Sequence, residues 1–133
     1  MIRCHYISRS LPIVFIGTNW LPKHWIATSL GLVVLIKKSH FSDWPTIAHE
    51  LEHCKQSIKG LGLIHFYRYH RSPNYRLRCE AAAFAAEISC CEGNEIAHRT
   101  AKAIESIVHC YRLNCGVTDV SEAIQIELRK LKL

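Results

Sequence analysis

Five residues in the middle of this chain have the types and spacing for metal-assisted hydrolysis: His49-Glu50-Leu51-Glu52-His53, an H-E-x-x-H pattern. On a helix, residues four apart lie one turn apart on the same face. His49 and His53 can then share one metal ion between their imidazoles. Glu50 follows the first of them and is rotated partly away, so its carboxylate can reach a metal-activated water without ligating the metal. Zinc hydrolysis needs both parts, a Lewis acid that lowers the pKa of water and a base that takes its proton.

The pattern has chemical meaning only if the stretch is helical and turns its histidines away from the core. Ser42 or Asp43 can cap a helix start, Pro45 suits a first turn, and Gly60 and Gly62 can end it, so a helix is expected from about Trp44 to about Lys59. Ile47, Leu51, Cys54 and Ile58 recur at helical spacing as an apolar stripe for a core. At ~100° per residue, His49 and His53 fall on the opposite side. Glu52 points elsewhere and reads as solvated.

A catalytic zinc commonly has three protein ligands and one open position. After His53 the candidates are His65, His70, Glu80 and Glu87. The position six residues beyond His53, where a metzincin carries its third histidine, is Lys59. Glu80 and Glu87 share one face of an alanine-rich stretch, Cys79 to Ile88, with high helix propensity. Small side chains there permit close approach to another helix.

The elements around these residues follow from pattern. Leu11 to Ile16 reads as a buried strand, Trp25 to Ala27 as a short strand, and Leu30 to Lys38 as one strong strand with an exposed basic end. A short aromatic, basic helix is expected between Gly60 and Arg71, broken by Ser72-Pro73-Asn74. Helices follow over Tyr75 to Cys91 and Glu95 to Tyr111. The last is an amphipathic helix opened by Asp119, with Glu122 three residues on as a capping box. The two C-terminal helices show no chemistry, and His98 and His109 read as ordinary surface or packing residues. Residues 1–10 are uninformative. The fold class is thus α+β, a small sheet followed by the active-site helix, a glutamate-bearing helix and C-terminal helices.

With 133 residues, 49% of them hydrophobic and 21% charged, the chain has the composition of a single globular domain over 1–133. The net charge of +6 is spread without a dense basic run, so nucleic acid is not an expected partner. Seven cysteines, an odd number without a C-x-x-C pair or a leader, read as reduced thiols of a cytoplasmic protein. The longest apolar run, Trp25 to Ile36, is too short to span a bilayer, and no membrane partner is expected.

Taken together, His49-Glu50-Leu51-Glu52-His53-Cys54-Lys55-Gln56, the aromatic stretch after it, and Glu80-Ala81-Ala82-Ala83-Phe84-Ala85 resemble a gluzincin metallopeptidase, most of all the minigluzincins. The likeness covers about residues 25–90. In that group the third ligand is a glutamate on a second helix, often within E-x-x-A, which Glu80 and Ala83 match. The resemblance implies a zincin-like fold, zinc held by His49, His53 and Glu80, Glu50 as general base, and a peptide or protein substrate. Glu87 ranks behind Glu80. The Leu30–Lys38 strand would line the cleft. Tyr67, Tyr69, His70 and Tyr75 are the candidates for stabilising an oxyanion, and Cys4 or His5 could ligate the metal from an inhibitory N-terminal segment. Two alternatives remain open: a zinc-binding interaction module without catalysis, and a repressor-cleaving metallopeptidase of a mobile element. The residues do not specify an oligomeric state.

Overall fold

A computed structural model describes residues 1–8, 11–23, 25–111 and 113–132, with the backbone alone at residues 5–8 and 11. The chain is α+β. Four strands come first: β1 (Ile2–Ser8), β2 (Leu11–Thr18), β3 (Ala27–Leu30) and β4 (Val33–Lys37). Five α-helices follow a short 3-10 turn at Lys38–His40: α1 (Trp44–Lys59), α2 (Leu63–Arg71), α3 (Pro73–Ser89), α4 (Asn94–Cys110) and α5 (Val117–Leu131).

The strands form one sheet in the order β1-β2-β4-β3. β1 and β2 are an antiparallel pair, β2 and β4 run parallel, and β4 pairs antiparallel with β3. The side-chain period of two decides which residues enter the core. Ile13 and Phe15 of β2 and Val34 and Ile36 of β4 are buried, while their neighbours Val14, Ile16, Val33 and Leu35 are only half-buried. The buried set packs with Phe41 and with Ile47 and Cys54 of α1, so this helix covers one face of the sheet. Gly17 lets Phe41 lie against β2, since a Cβ there would come within 3.0 Å of the Phe41 ring.

Two expectations about the strands are corrected. Leu30 to Lys38 is not one strand. Gly31 adopts φ +67°, a left-handed conformation that turns the chain back, and the run becomes the hairpin β3–β4. One edge of the sheet is therefore β3, with β4 enclosed between β3 and β2. The N-terminal residues, uninformative as sequence, contribute the whole of β1.

α1 has the bounds its caps and stripe imply. Ile47 and Cys54 are buried and Leu51 is packed beside them, although Ile58 is exposed. α3 begins two residues earlier than expected, because the Ser72 hydroxyl accepts the Tyr75 N–H and Pro73 takes the first helical position. At α5, Asp119 is not the cap. Gly116 is, and the Asp119 carboxylate accepts the Gly116 N–H at 2.9 Å. A second apolar cluster joins α3, α4 and α5 through Ala81, Ile88, Ala103, Ile107, Leu113, Val120 and Ile124. α3 thus stands between this cluster on one side and α1 on the other.

Among the described residues no helix is long and apolar enough to cross a membrane. All seven cysteines are free thiols. Cys54, Cys79 and Cys91 are buried as small apolar side chains. Burial pushes the Cys54 thiol up to about 12 and the Cys79 thiol up to about 11, which leaves them unreactive near neutral pH.

Candidate metal centre

α1 and α3 meet along a face that on α3 consists largely of small side chains. Ala83 and Ala85 are fully buried, and Glu80, on the same helix, is only 1% exposed. A carboxylate that deep needs a cation or several donors. It finds the two histidines of α1. His53 Nε2 lies 3.6 Å from Glu80 Oε1, His49 Nε2 lies 4.0 Å from Glu80 Oε2, and the two Nε2 atoms are 3.2 Å apart. The three side chains form a group whose candidate ligand atoms all fall within 4.8 Å of one another.

These spacings can be set against what a zinc ion requires. Ligand bonds of about 2.0–2.1 Å in a tetrahedral arrangement hold neighbouring ligand atoms about 3.3–3.4 Å apart. The Nε2–Nε2 and His53–Glu80 separations lie within about 0.3 Å of that value, and the His49–Glu80 separation of 4.0 Å would have to close by roughly 0.6 Å. The donor set, two imidazoles and one carboxylate, is also a zinc set.

The far sides of both rings are already committed. His49 Nδ1 and Glu87 Oε2 are 3.1 Å apart, and His53 Nδ1 and Gln56 Oε1 are 3.1 Å apart. Gln56 is itself anchored, its Nε2 donating to the Cys79 carbonyl at 3.0 Å. Acceptors at both Nδ1 atoms favour protons there, which leaves the Nε2 lone pairs directed at the gap beside Glu80. Glu87 is in turn held by Arg99 of α4, whose Nη1 donates to Glu87 Oε1 at 2.8 Å and whose Nη2 donates to Asp43 Oδ1 at 3.0 Å. Asp43 also accepts the Thr46 hydroxyl, so its carboxylate ties the start of α1 rather than capping a backbone N–H.

Among the described residues two buried side-chain oxygens accept no hydrogen bond within the protein, Oε2 of Glu80 and Oε2 of Glu50. Orphaned buried carboxylate oxygens are costly unless something else satisfies them. Both belong to residues that the sequence pattern assigns to metal chemistry. The Ser29 hydroxyl of β3 lies close enough to the Glu50 carboxylate to act toward lowering its pKa. Burial raises its pKa; His49 and His53 pull the other way and Glu80 adds to the rise.

Without a metal the group neutralises itself with a proton. Burial acts against a charged His53, but the Glu80 carboxylate and its hydrogen bond outweigh it and raise the imidazole to about 9. For Glu80 burial alone would raise the pKa. His53, His49 and the Tyr69 hydroxyl, which donates to Oε1, hold it down at about 2. In the metal-free chain a protonated His53 balances the Glu80 carboxylate, and the group could hold a metal ion in its place.

The structure separates the remaining candidates. His65 is buried, but it shares a hydrogen bond with the Tyr75 hydroxyl and is outside the group. His70, His98 and His109 are exposed, and Glu52 pairs with Lys55 at 3.2 Å on the outer face of α1. Of the oxyanion candidates, Tyr67 is exposed and Tyr75 is engaged with His65; only Tyr69 reaches the group, and its hydroxyl is committed to Glu80. Cys4 is exposed on β1 and does not join the group; the side chain of His5 lies outside the described residues.

Sequence reasoning did not find Arg99, Asp43, Gln56, Ser29 or Tyr111 as parts of this site. Tyr111, just past the end of α4, is half-buried beside Glu80, which adds to burial in raising its phenol. Only Gln56 carried a local signal, three residues after His53 on the same helix face.

No family model, curated protein or solved structure matches this chain.

Proposed function

We propose that this chain is a zinc-dependent metallopeptidase of gluzincin type, with a zincin-like arrangement of its sheet and first helices. The observation that supports the reading is a convergence from two helices. His49, His53 and Glu80 present ligand atoms to one gap, both histidines have their Nδ1 atoms occupied, and Glu50 carries an unsatisfied buried oxygen beside them. A structural ion pair explains Glu80 and His53 but not the orphaned oxygen of Glu50.

His49, His53 and Glu80 would hold the metal. Bound there, a zinc ion supplies a Lewis acid that lowers the pKa of water and polarises a carbonyl. Glu50 then accepts a proton from the attacking water at its free Oε2 and passes it to the leaving amide nitrogen. Its raised pKa suits both halves of that exchange. Glu87, with Arg99 behind it, keeps His49 in the tautomer that ligates, and Gln56 does the same for His53. β3 is the sheet edge nearest α1 and carries Ser29 toward Glu50, so an extended peptide adding to that edge would pass over the base.

A second reading, a metal-binding module without turnover, is favoured by one feature: of the four oxyanion candidates in the sequence, only Tyr69 reaches the group, and its hydroxyl is committed to Glu80. Metal analysis of the purified protein and of Glu80→Ala, with a quenched peptide library assayed on the same samples, separates these readings. The peptidase reading expects stoichiometric zinc and turnover in the parent and neither in the variant. Full zinc without turnover leaves the binding module. Full zinc in Glu80→Ala removes Glu80 from the site.

A further inference from the structure

α2 buries a narrow face and displays the rest. His65 and Tyr69, four residues apart, turn inward against the metal centre and Tyr75. On the other side stand large apolar side chains in unusual density for a surface helix: Leu61 is 73% exposed, Leu63 86%, Ile64 54%, Phe66 62% and Tyr67 65%. Leu61 holds this position with its backbone in the left-handed region, φ +58°, where leucine is disfavoured. Its backbone closes the turn between α1 and α2, with Leu61 N–H donating to the Ile58 carbonyl and Ile64 N–H to the Leu61 carbonyl, while its side chain faces water.

The segment that carries this patch is basic, and the one acid beside its cations, Glu52 of α1, is paired with Lys55 at 3.2 Å. From Cys54 to Cys79 the chain contains no aspartate or glutamate. Lys59, Arg68, Arg71 and Arg78 are exposed there, while Arg76 is tied to the carbonyls of Tyr69, His70 and Tyr111. On a helical wheel Arg71 falls between Tyr67 and Ile64, and Arg68 flanks Ile64. Every outward residue of α2 is therefore apolar, aromatic or basic.

We propose that α2 and the turn before it are a docking surface for an anionic lipid bilayer, lying in the plane of the headgroups. A helix with protruding leucine and phenylalanine side chains interleaved with cations matches that boundary. The apolar side chains enter the acyl region, and the arginines and lysine meet the negative headgroups. A nucleic acid would meet the cations but leave Leu61, Leu63 and Ile64 in water. A protein partner would have to match the shape of the ridge, which a fluid bilayer does not. Because Tyr69 on the inner face of α2 contacts Glu80, docking would hold the metal centre beside the bilayer. The surface stands independently of what the centre does.

The test is sedimentation of the full chain with vesicles of mixed phosphatidylglycerol and phosphatidylcholine, against vesicles of pure phosphatidylcholine, at low and high salt. The parent is expected to partition onto the mixed vesicles, and more weakly as salt rises. The double variant Leu63→Ser with Phe66→Ser should lose tenfold or more. Lys59→Gln with Arg71→Gln should lose about fivefold per charge on the mixed vesicles. All four residues are exposed, and helical circular dichroism checks that each variant folds; the charge variant carries the test by itself if the apolar one does not. No sedimentation of the parent with anionic vesicles at low salt overturns the proposal. So does partitioning that neither double variant changes, or salt-sensitive binding that is equal on single-stranded DNA and indifferent to Leu63 and Phe66.

Discussion

At the scale of single residues, buried carboxylate oxygens left without hydrogen-bond partners mark the chemistry. Glu50 and Glu80 each have one, and they imply different consequences when altered. Glu50→Gln keeps size and burial and removes the base. Zinc content should stay at the parent value while peptide turnover falls by roughly 10²–10⁴-fold, checked by metal analysis beside a peptide assay. Parent-like turnover would remove Glu50 from the role of base. Tyr69→Phe deletes a donor to Glu80 without touching the ligand atoms. Zinc affinity should weaken by about 10–100-fold, the usual cost of losing a group that orients a ligand, as read by competition with a chromogenic chelator.

At the scale of elements, Arg99 links three of them. It ties Glu87 of α3 to Asp43 at the start of α1, from a position on α4. Its side chain is 16% exposed, and Arg99→Gln leaves two partly buried carboxylates without their cation, a loss of about 2 kcal/mol. The loss depends on pH. Burial acts to raise the Glu87 carboxyl, but His49 and Arg99 hold it below its ordinary 4.5; burial acts likewise on Asp43, and Thr46 and Arg99 hold it below 3.8. A carboxyl with a depressed folded pKa contributes stability above its unfolded pKa and loses it as pH falls through the folded value. In metal-free protein the gap in melting temperature between parent and Arg99→Gln should therefore be full at neutral pH and close as pH drops below about 4. A gap that persists in acid would detach Arg99 from these carboxylates. The hairpin gives a second prediction: Gly31→Val forces a β-branched residue into a left-handed turn and should cost 1 kcal/mol or more, about the penalty for that conformation, measured by urea unfolding.

At the scale of the molecule, two apolar clusters support the site from opposite sides. The sheet cluster fixes α1 through Ile47 and Cys54, and the helical cluster fixes α3 through Ala81 and Ile88. The His49–His53–Glu80 group lies where these two helices meet, so binding of an ion there would be linked to folding. Zinc at 100 times its dissociation constant should add about 2.7 kcal/mol to unfolding stability, seen as a melting temperature that rises with zinc and falls with a chelator. Glu80→Ala should melt at the same temperature with and without zinc. A parent indifferent to zinc and chelator alike would argue against a bound ion.

Local chemistry determined much of this in the sequence alone. The bounds of α1 follow from Pro45 and Gly60, and the opposition of its histidines to its core stripe follows from the helical period. The alanine-rich helix and its two glutamates were legible for the same reason, since propensity and spacing act within a few residues. The tertiary structure decided what depends on pairing across the chain. That Glu80 rather than Glu87 faces the histidines, with Glu87 behind His49 Nδ1, depends on the rotation of α3 against α1. That Arg99, 12 residues from Glu87 and 56 from Asp43, joins them depends on how α4 packs. The strand order and the exposed ridge of α2 belong to the same class. Periodicity tells a helix which face is apolar; it does not say which faces will find a neighbour.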